Sequence, residues 1–395
     1  MTEAILTNNV FDIAIIGAGP GGLCAAHALA NQGFSVGIFE QAHVLRPIGA
    51  ALGLRDMGYA ALAEISADLA HQVRALAVNP KRQMLMRPNG EVLFADESPL
   101  AGTSFTWLGW YNLQTCLHKA LPTTVSFHLN HALTGFTRDS HQGEKLLRLQ
   151  FRQQEDVYTR LLIGADGYNS VVRKITVADG APLYTGTMTW RGIVERKNIL
   201  PLADPFVEAA GFQLVVGEKK NFWIMDVGTE LIAWGGTALH LNQGKSVSAL
   251  ETVLQIFQQW PPLVERMIRA TDPKAIVETG VFDREPVPQW GDGRRVTLLG
   301  DAAHPMRPYL GLGTTMAIQD AVALAKRLAS TDLGDSEQLG IAISTYEQER
   351  IAITAPLQRK ARHTGAESHA DDHADRLKEE LVATLAARRQ TEQKY

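Results

Sequence analysis

VFDIAIIGAGPGGLCAAHALANQGFSVGIF, residues 10–39, is the stretch whose reading decides the fold. Val10–Ile16 is short, apolar and rich in β-branched residues, the signature of a buried strand. GAGPGG follows, then a run of small and apolar residues that reads as a helix ended near Gly33. SVGIF is a second strand, closing on Glu40. A complete βαβ unit therefore occupies the first 40 residues. Its turn carries Gly17-x-Gly19-x-x-Gly22. Gly17 permits the tight turn, Gly19 lets a pyrophosphate approach the backbone, and Gly22 lets helix and strand pack closely. The helix start offers free N–H groups and a positive dipole end to phosphates. Glu40, 18 residues after Gly22, is placed to accept from ribose hydroxyls.

The chain around this unit has 395 residues, enough for two or three domains or one large domain with an insertion. Apolar residues make up 45% and charged residues 20%, which excludes disorder, collagen and coiled coil as the main architecture. Lys plus Arg total 38 and Asp plus Glu 42, a net charge of −4, so nothing global favours nucleic acid or anionic lipid. The two cysteines, Cys24 and Cys116, cannot build a disulfide framework, which fits a reducing compartment. Cys24, among small apolar residues, reads as a buried inert thiol. No apolar run approaches the roughly 20 residues of a membrane span. No Lys or Arg precedes Arg46, so there is no basic start of a signal peptide. The sequence predicts a soluble, cytoplasmic protein.

Further along, MLMRPNGEVLFA reads as a hairpin around Pro88-Asn89-Gly90. Residues 110–121 are helical, with apolar side chains at 113, 117 and 121. Residues 181–240 are strand-rich, residues 248–270 read as one helix, and VTLLGDAAH returns to strand-then-glycine character before a helix over 314–328. The pattern predicts an α/β fold: a Rossmann-like cofactor domain (1–75, 101–180, 281–343) interrupted by a mostly β substrate domain (76–100, 181–280). A charged helical tail, 344–395, follows.

Two more glycine turns carry chemistry. Asp166-Gly167 follows the strand LLIGA, and Ser170 and Arg173 come about one helical turn later. An Asp here can hold a sugar hydroxyl or brace a phosphate loop, and an Arg can meet a pyrophosphate bidentately; the plain alternative is a capped helix start with a solvated Arg. GDAAHPMRPYLGLG, residues 300–313, follows VTLL. Asp301 there suits a ribitol or ribose hydroxyl. Gly311-Leu312-Gly313 leads into a helix at Thr314, whose start can stabilise negative charge on a bound ligand. His304, between alanines and a proline, reads as a packed, hydrogen-bonded histidine rather than a base.

In this order the three motifs resemble those of the class A FAD-dependent aromatic monooxygenases, the p-hydroxybenzoate hydroxylase fold family, and most of all its salicylate hydroxylase-like and 3-hydroxybenzoate 6-hydroxylase-like members. GAGPGG is similar to the FAD fingerprint, ADGYNSVVR to the DG motif and GDAAHPMRPYLGLG to the GD motif. EQAHVLRPIGA, TWRGIV and FWIMDVG resemble further segments of the family. The resemblance implies a cofactor domain of the GR2 type carrying FAD, with NADPH or NADH as transient reductant. It also implies O2 adding at the flavin C4a, and a hydroperoxide delivering one oxygen atom to a small aromatic or heteroaromatic substrate. Gly17, Gly19, Pro20, Gly22, Glu40, Gln41, Arg46, Trp110, Asp166, Arg173, Asp301, Gly311, Leu312, Gly313 and Thr314 are then the cofactor-binding candidates. The resemblance also implies that Pro308 lies beside the reactive flavin edge; Pro308, Tyr309 and Arg191 are the catalytic candidates. The chain departs from the family's pattern where Trp110 replaces an arginine, Leu312 a glutamine, Thr314 and Thr315 an alanine and an asparagine, and Gln319 a glutamate. A flavin-dependent reductase and a non-catalytic FAD- or ligand-binding protein are the alternatives; halogenation is disfavoured because no WxWxIP sequence is present.

The pocket candidates are Trp190, Arg191, Trp223, Met225, Trp234 and Tyr309. Strand alternation puts Trp190 and Gly192 on one sheet face and Arg191 on the other, so not all can line one pocket. Arg191, in the catalytic set with Pro308 and Tyr309, can meet an anionic substrate or be an edge charge. In the tail, His369 and His373 would share a helix face, as metal ligands can, but a solvated helix is the simpler reading and no metal is assigned. Leu377, Leu381 and Leu385 suit docking onto the chain's own domain or onto a partner, with own-domain docking the default. A monomer or homodimer is expected.

Overall fold

The computed structural model describes residues 10–46, 51–96, 105–141, 143–199, 211–240, 244, 246–367 and 372–392. Two seven-stranded sheets organise them. In the first, Val125–His128, Val36–Phe39, Val10–Ile16 and Val157–Gly164 run parallel, and Val296–Leu298 pairs with the far end of Val157–Gly164. Glu144–Phe151 and Leu133–His141 extend the sheet antiparallel. The central strands are apolar without alternation because both faces are covered: Ile13, Ala14, Ile15 and Leu161 are fully buried.

An opening helix, Pro20–Ala30, and a closing helix, Gly313–Leu328, pack against each other on this sheet. Gly21 makes the approach possible. A β-carbon there would fall 2.8 Å from Leu299 Cδ1 and 3.0 Å from the Ala317 β-carbon. Gly17 adopts φ +105°, closed to most side chains, and its N–H donates to the Phe39 carbonyl at 2.9 Å. At Gly22 a β-carbon would lie 2.2 Å from the Gly17 oxygen, which closes that position to any side chain.

The second sheet orders Val277–Asp283, Leu183–Glu195, Leu231–Leu239, Lys220–Asp226, Gly211–Gly217, Arg82–Met86 and Val92–Asp96. Register sorts its residues onto two faces. Trp190, Phe222, Ile224 and Trp234 face helices Ala249–Ile256 and Pro262–Arg269 and form a second core. Arg191, Phe212, Leu214, Trp223 and Met225 lie on the other face and are only half-buried. That face meets the first domain: the rings of Phe212 and Trp107 are 5.2 Å apart. Trp107 belongs to Phe105–Gly109, which pairs with Ala51–Arg55 in a two-stranded ribbon between the sheets.

Several elements differ from the sequence reading. The single helix over 248–270 is two, because Pro261 and Pro262 interrupt it and Gln259 turns into the left-handed region at φ +64°. The helix over 110–121 is Trp110–Lys119. The 343/344 division falls inside one continuous helix, Ser336–Glu367, and the 280/281 division inside strand Val277–Asp283. The former helix is no loose tail. Tyr346, Glu347, Arg350, Thr354, Gln358 and Ala361 are buried along one face, and the Tyr346 hydroxyl donates to the Leu298 carbonyl at 3.0 Å. The last helix, His373–Glu392, lays Leu377 and Leu381 on Leu85, Phe94 and Val216 of the second sheet, the expected own-chain docking. His369 and residues 47–50 lie outside the described residues, as does the Leu385 side chain. No helix is long and apolar enough to cross a membrane among the described residues.

The glycine geometry yields paired outcomes. Gly22→Ala should cost about 2 kcal/mol or more of stability, read as a fall in melting temperature, because backbone must move. Gly19→Ala, whose β-carbon meets nothing within 4 Å, should melt like the parent when both are compared free of cofactor.

Candidate active site

The glycine loop is stapled by Glu40. Its Oε2 accepts from the Ala18 N–H and its Oε1 from the Ala42 N–H, both at 2.9 Å. Each oxygen keeps a further lone-pair direction for a ligand hydroxyl. From the other side the buried Gln114 donates Nε2–H to the Ala18 carbonyl at 2.7 Å. Gln114 stands one turn after Trp110, so Trp110, half-buried at the helix start, shares the face that meets the glycine loop. Gln41 and Arg46 are exposed on the loop beyond Glu40.

In the DG motif, Asp166 Oδ2 accepts from the Val171 N–H at 2.7 Å and the Val172 N–H at 3.3 Å, while Ser170 Oγ accepts from the Arg173 N–H at 2.9 Å. The helix start is thus capped twice. Asp166 Oδ1 is buried with no partner, and burial raises this carboxyl's pKa against the pull of its hydrogen bonds. Arg173 is placed differently from the expected pyrophosphate contact. It is fully buried and its donors are taken: Nε and Nη2 by Asp179, Nη1 by the Ala302 and Ala303 carbonyls at 3.0 and 2.5 Å. Arg284 adds a second guanidinium to Asp179 at 2.9 Å. Burial disfavours that carboxylate, but the two arginines outweigh it and hold its pKa low.

The GD motif is pinned from below. Gly300 takes φ +58° and its N–H donates to Asp320 Oδ2 at 2.9 Å. The same oxygen accepts from His304 Nε2 at 2.5 Å, and Asp320 Oδ1 accepts from Arg350 Nε at 2.7 Å. Burial would raise the Asp320 pKa, yet His304, Arg350 and the Gly300 N–H hold it below the usual value. His304 is therefore the packed histidine the sequence suggested, spent on structure. Arg307 donates to Asp283 at 3.1 Å, as Arg362 does at 2.6 Å, which fixes the approach to the turn Pro308–Leu310. Pro308 is exposed, Tyr309 half-buried, and Gly311 ends the turn at φ +60°.

Above this base the closing helix begins at Gly313. Its cap residue, Leu312, has no side-chain acceptor, and neither has Gly19 at the opening helix. Both helix starts therefore keep N–H groups for a ligand. Asp301 is exposed beside the closing start; a β-carbon on Gly313 would lie 3.8 Å from its Oδ1. Thr314 is half-buried and the buried Thr315 Oγ1 has no partner. Two open helix starts, an open Gly19 and a bare Asp166 oxygen fit an elongated dinucleotide with phosphates and hydroxyls.

Comparison with known proteins agrees. A family model described as FAD binding domain matches residues 10–361. The chain belongs to this FAD-binding family. It is similar to aurachin C monooxygenase/isomerase of Stigmatella aurantiaca, 29% identical with 86% of this chain and 85% of that one covered. Likewise 3-hydroxybenzoate 6-hydroxylase of Klebsiella oxytoca is 29% identical, with coverage of 90% and 88%. Among solved structures, Klebsiella pneumoniae HpxO complexed with FAD and uric acid superposes with a TM-score of 0.76 at 26% identity, covering 93% and 92%. CtdE in complex with FAD and its substrate 4 reaches a TM-score of 0.80 at 16% identity, a likeness of fold, with 91% and 90% covered. The flavoprotein is an FAD-dependent oxidoreductase of the monooxygenase type, with the p-hydroxybenzoate hydroxylase fold.

Sequence reasoning missed Gln114, Arg284, Asp283 and Arg350. Gln114 has no motif around it. Arg350 lies in a charged helical stretch that reads as solvated. Its only signal is position, three and four residues after the equally buried Glu347 and Tyr346, on one helix face.

Asp320→Ala should destabilise the flavoprotein by about 3–5 kcal/mol, because it strands the Arg350 charge and two N–H donors, as chemical denaturation would measure. Asp320's contribution is complete above the ordinary carboxyl value of 3.8 and is lost as pH falls through its lowered native value. The variant should therefore lack part of the acid-side loss of stability.

Proposed function

We propose that the flavoprotein uses NADPH or NADH and O2 to hydroxylate a small aromatic or heteroaromatic compound. The observation that carries this is the uncapped start of the closing helix, set beyond the Pro308–Leu310 turn, together with the half-buried apolar face of the second sheet. FAD, when bound, supplies the redox chemistry. The chain supplies position and field. Glu40 and Asp301 accept from cofactor hydroxyls, and Asp166 Oδ1 offers a third acceptor. Gly17, Gly19, Pro20 and Gly22 give phosphates their approach. The N–H groups of Gly313 and Thr314, which Leu312 leaves uncapped, would stabilise negative charge on the bound cofactor. Pro308 and Tyr309 would shape the backbone on the approach to that helix start. Phe212, Trp223 and Met225 keep water from the substrate. Arg173 acts indirectly by holding the DG and GD loops together.

Trp110 contributes apolar area beside the cofactor where a cation would supply charge. Trp110→Ala should weaken FAD binding with little dependence on salt, whereas Arg46→Ala should weaken it in a salt-sensitive way. Glu40→Ala and Asp301→Ala should each lower FAD occupancy, by about 1–3 kcal/mol of affinity, in a folded protein. Equal affinity in a variant removes that residue from the site.

Turnover under 18O2 should place labelled oxygen in the product and oxidise NAD(P)H in step with it. Substrate-stimulated NAD(P)H oxidation without incorporation would instead identify a reductase.

A further inference from the structure

Among the described residues, neither of the two large cores contains a side chain of the last helix, His373–Glu392. Ala374, Leu377 and Leu381 hold that helix on the second sheet, where they pack on Leu85, Phe94 and Val216. Asp375 adds an ion pair, accepting from Arg87 Nη2 at 2.7 Å. Both partners of that pair meet solvent, so it contributes little. A helix in a folded protein takes most of its stability from the face it packs. What the two leucines touch therefore decides where this helix sits.

The sheet register shows where the contact leads. Phe94, Leu85, Leu214, Trp223, Gly235 and Arg191 are consecutive partners across six neighbouring strands, so they form one row on one face. The helix covers the beginning of the row: Phe94 and Leu85 are buried, and Leu214 packs against the same cluster. From Trp223 onward the row belongs to the face read above as the substrate wall, and Trp223 and Arg191 are half-buried. No strand intervenes between the two parts, because Leu214 and Trp223 are direct cross-strand partners. Along the strand of Leu214, the first domain takes one end and the helix the other: Phe212 meets Trp107, and Val216 meets the helix cluster. The space above Trp223 is thus bounded by the first domain beyond Phe212 and by the last helix beyond Leu214.

We propose that the last helix is the end wall of the substrate cavity, and that Leu377 and Leu381 set how long an aromatic compound the flavoprotein accepts. This rests on the reading of the Trp223 face as the substrate wall. The two leucines are positioning residues. They keep the helix at a fixed height over Leu85, Phe94 and Leu214, and so close the row before it can take a second or third fused ring. A smaller side chain at either position leaves an apolar gap, because the surroundings relax into it only partly. That gap is continuous with the space over Trp223. A larger side chain has the opposite effect and pushes the wall inward or off its seat.

The test uses the FAD-loaded full chain without turnover, with binding read from the flavin absorbance. The probes are salicylate, 3-hydroxy-2-naphthoate and 3-hydroxyanthracene-2-carboxylate, which keep one polar end and lengthen by one fused ring each. In the parent protein, affinity should fall along the series once the wall is met. Leu377→Ala and Leu381→Ala should each raise affinity for the longer members at least about tenfold relative to salicylate, with FAD content unchanged. Leu381→Trp should shift the series the other way, which a general loosening of the fold would not do. Val382→Ala, one position on and exposed, should leave the series as in the parent. The same order and spacing of affinities in every variant would overturn the assignment. So would a shift that Val382→Ala reproduces, or a series in which no member perturbs the flavin of any variant. Because the readout is binding, failure of oxygen incorporation would sink the hydroxylase reading and leave the wall in place.

Discussion

The guanidinium of Arg173 joins two motifs that lie 130 residues apart in the chain. One edge holds Asp179, just beyond its own helix, and the other donates to successive carbonyls of the GD loop. The arrangement works because the charge is both buried and paired; remove the pairing and burial turns against it. With that joint in place, Asp166 stays at the tip of its strand with one oxygen spent on the helix start and the other bare. The GD loop then leads to the closing helix at a fixed position relative to the DG loop. The distance between the two ends of an elongated cofactor is set by side chains that need not touch it.

Below the GD loop the long helix Ser336–Glu367 acts as a splint. Tyr346, Glu347, Arg350 and Gln358 share its buried face, and each bonds a different point between Trp290 and Asp320. Glu347 takes the Trp290 N–H and the Thr297 hydroxyl, and Gln358 donates to the Pro305 carbonyl at 3.2 Å. A loop rich in glycine and proline, with two left-handed glycines, has little order of its own. It borrows order from a helix that lies outside every glycine motif.

The sequence showed the turns because turns are made by local chemistry. Gly17, Gly22, Gly300 and Gly311 are forced by backbone angles or near contacts that leave a residue-type signature. It also showed that Trp190 and Arg191 face apart, since alternation is geometric. Which of those faces holds the core was not legible, because Trp190 and Trp223 are equally aromatic and only the packed helices tell them apart. The fate of Arg173 was hidden for a similar reason. An arginine after a glycine turn serves a phosphate or a carbonyl equally well, and the choice depends on Asp179 and on a loop distant in sequence. The split of the 248–270 segment was legible at Pro261-Pro262 and was overridden by the apolar pattern around it.

The two cysteines bear on endurance. Any protein that brings O2 to a reduced flavin releases some peroxide when oxygen transfer is uncoupled, and thiolates near the source are its first casualties. Cys24 is buried on the opening helix and Cys116 on the helix that carries Trp110, and burial raises both thiol pKa values. Neither offers peroxide a thiolate at neutral pH. Among the described residues Met57 is exposed, at 49%, and oxidation there would add a polar atom on the surface and leave the cofactor domain's interior intact.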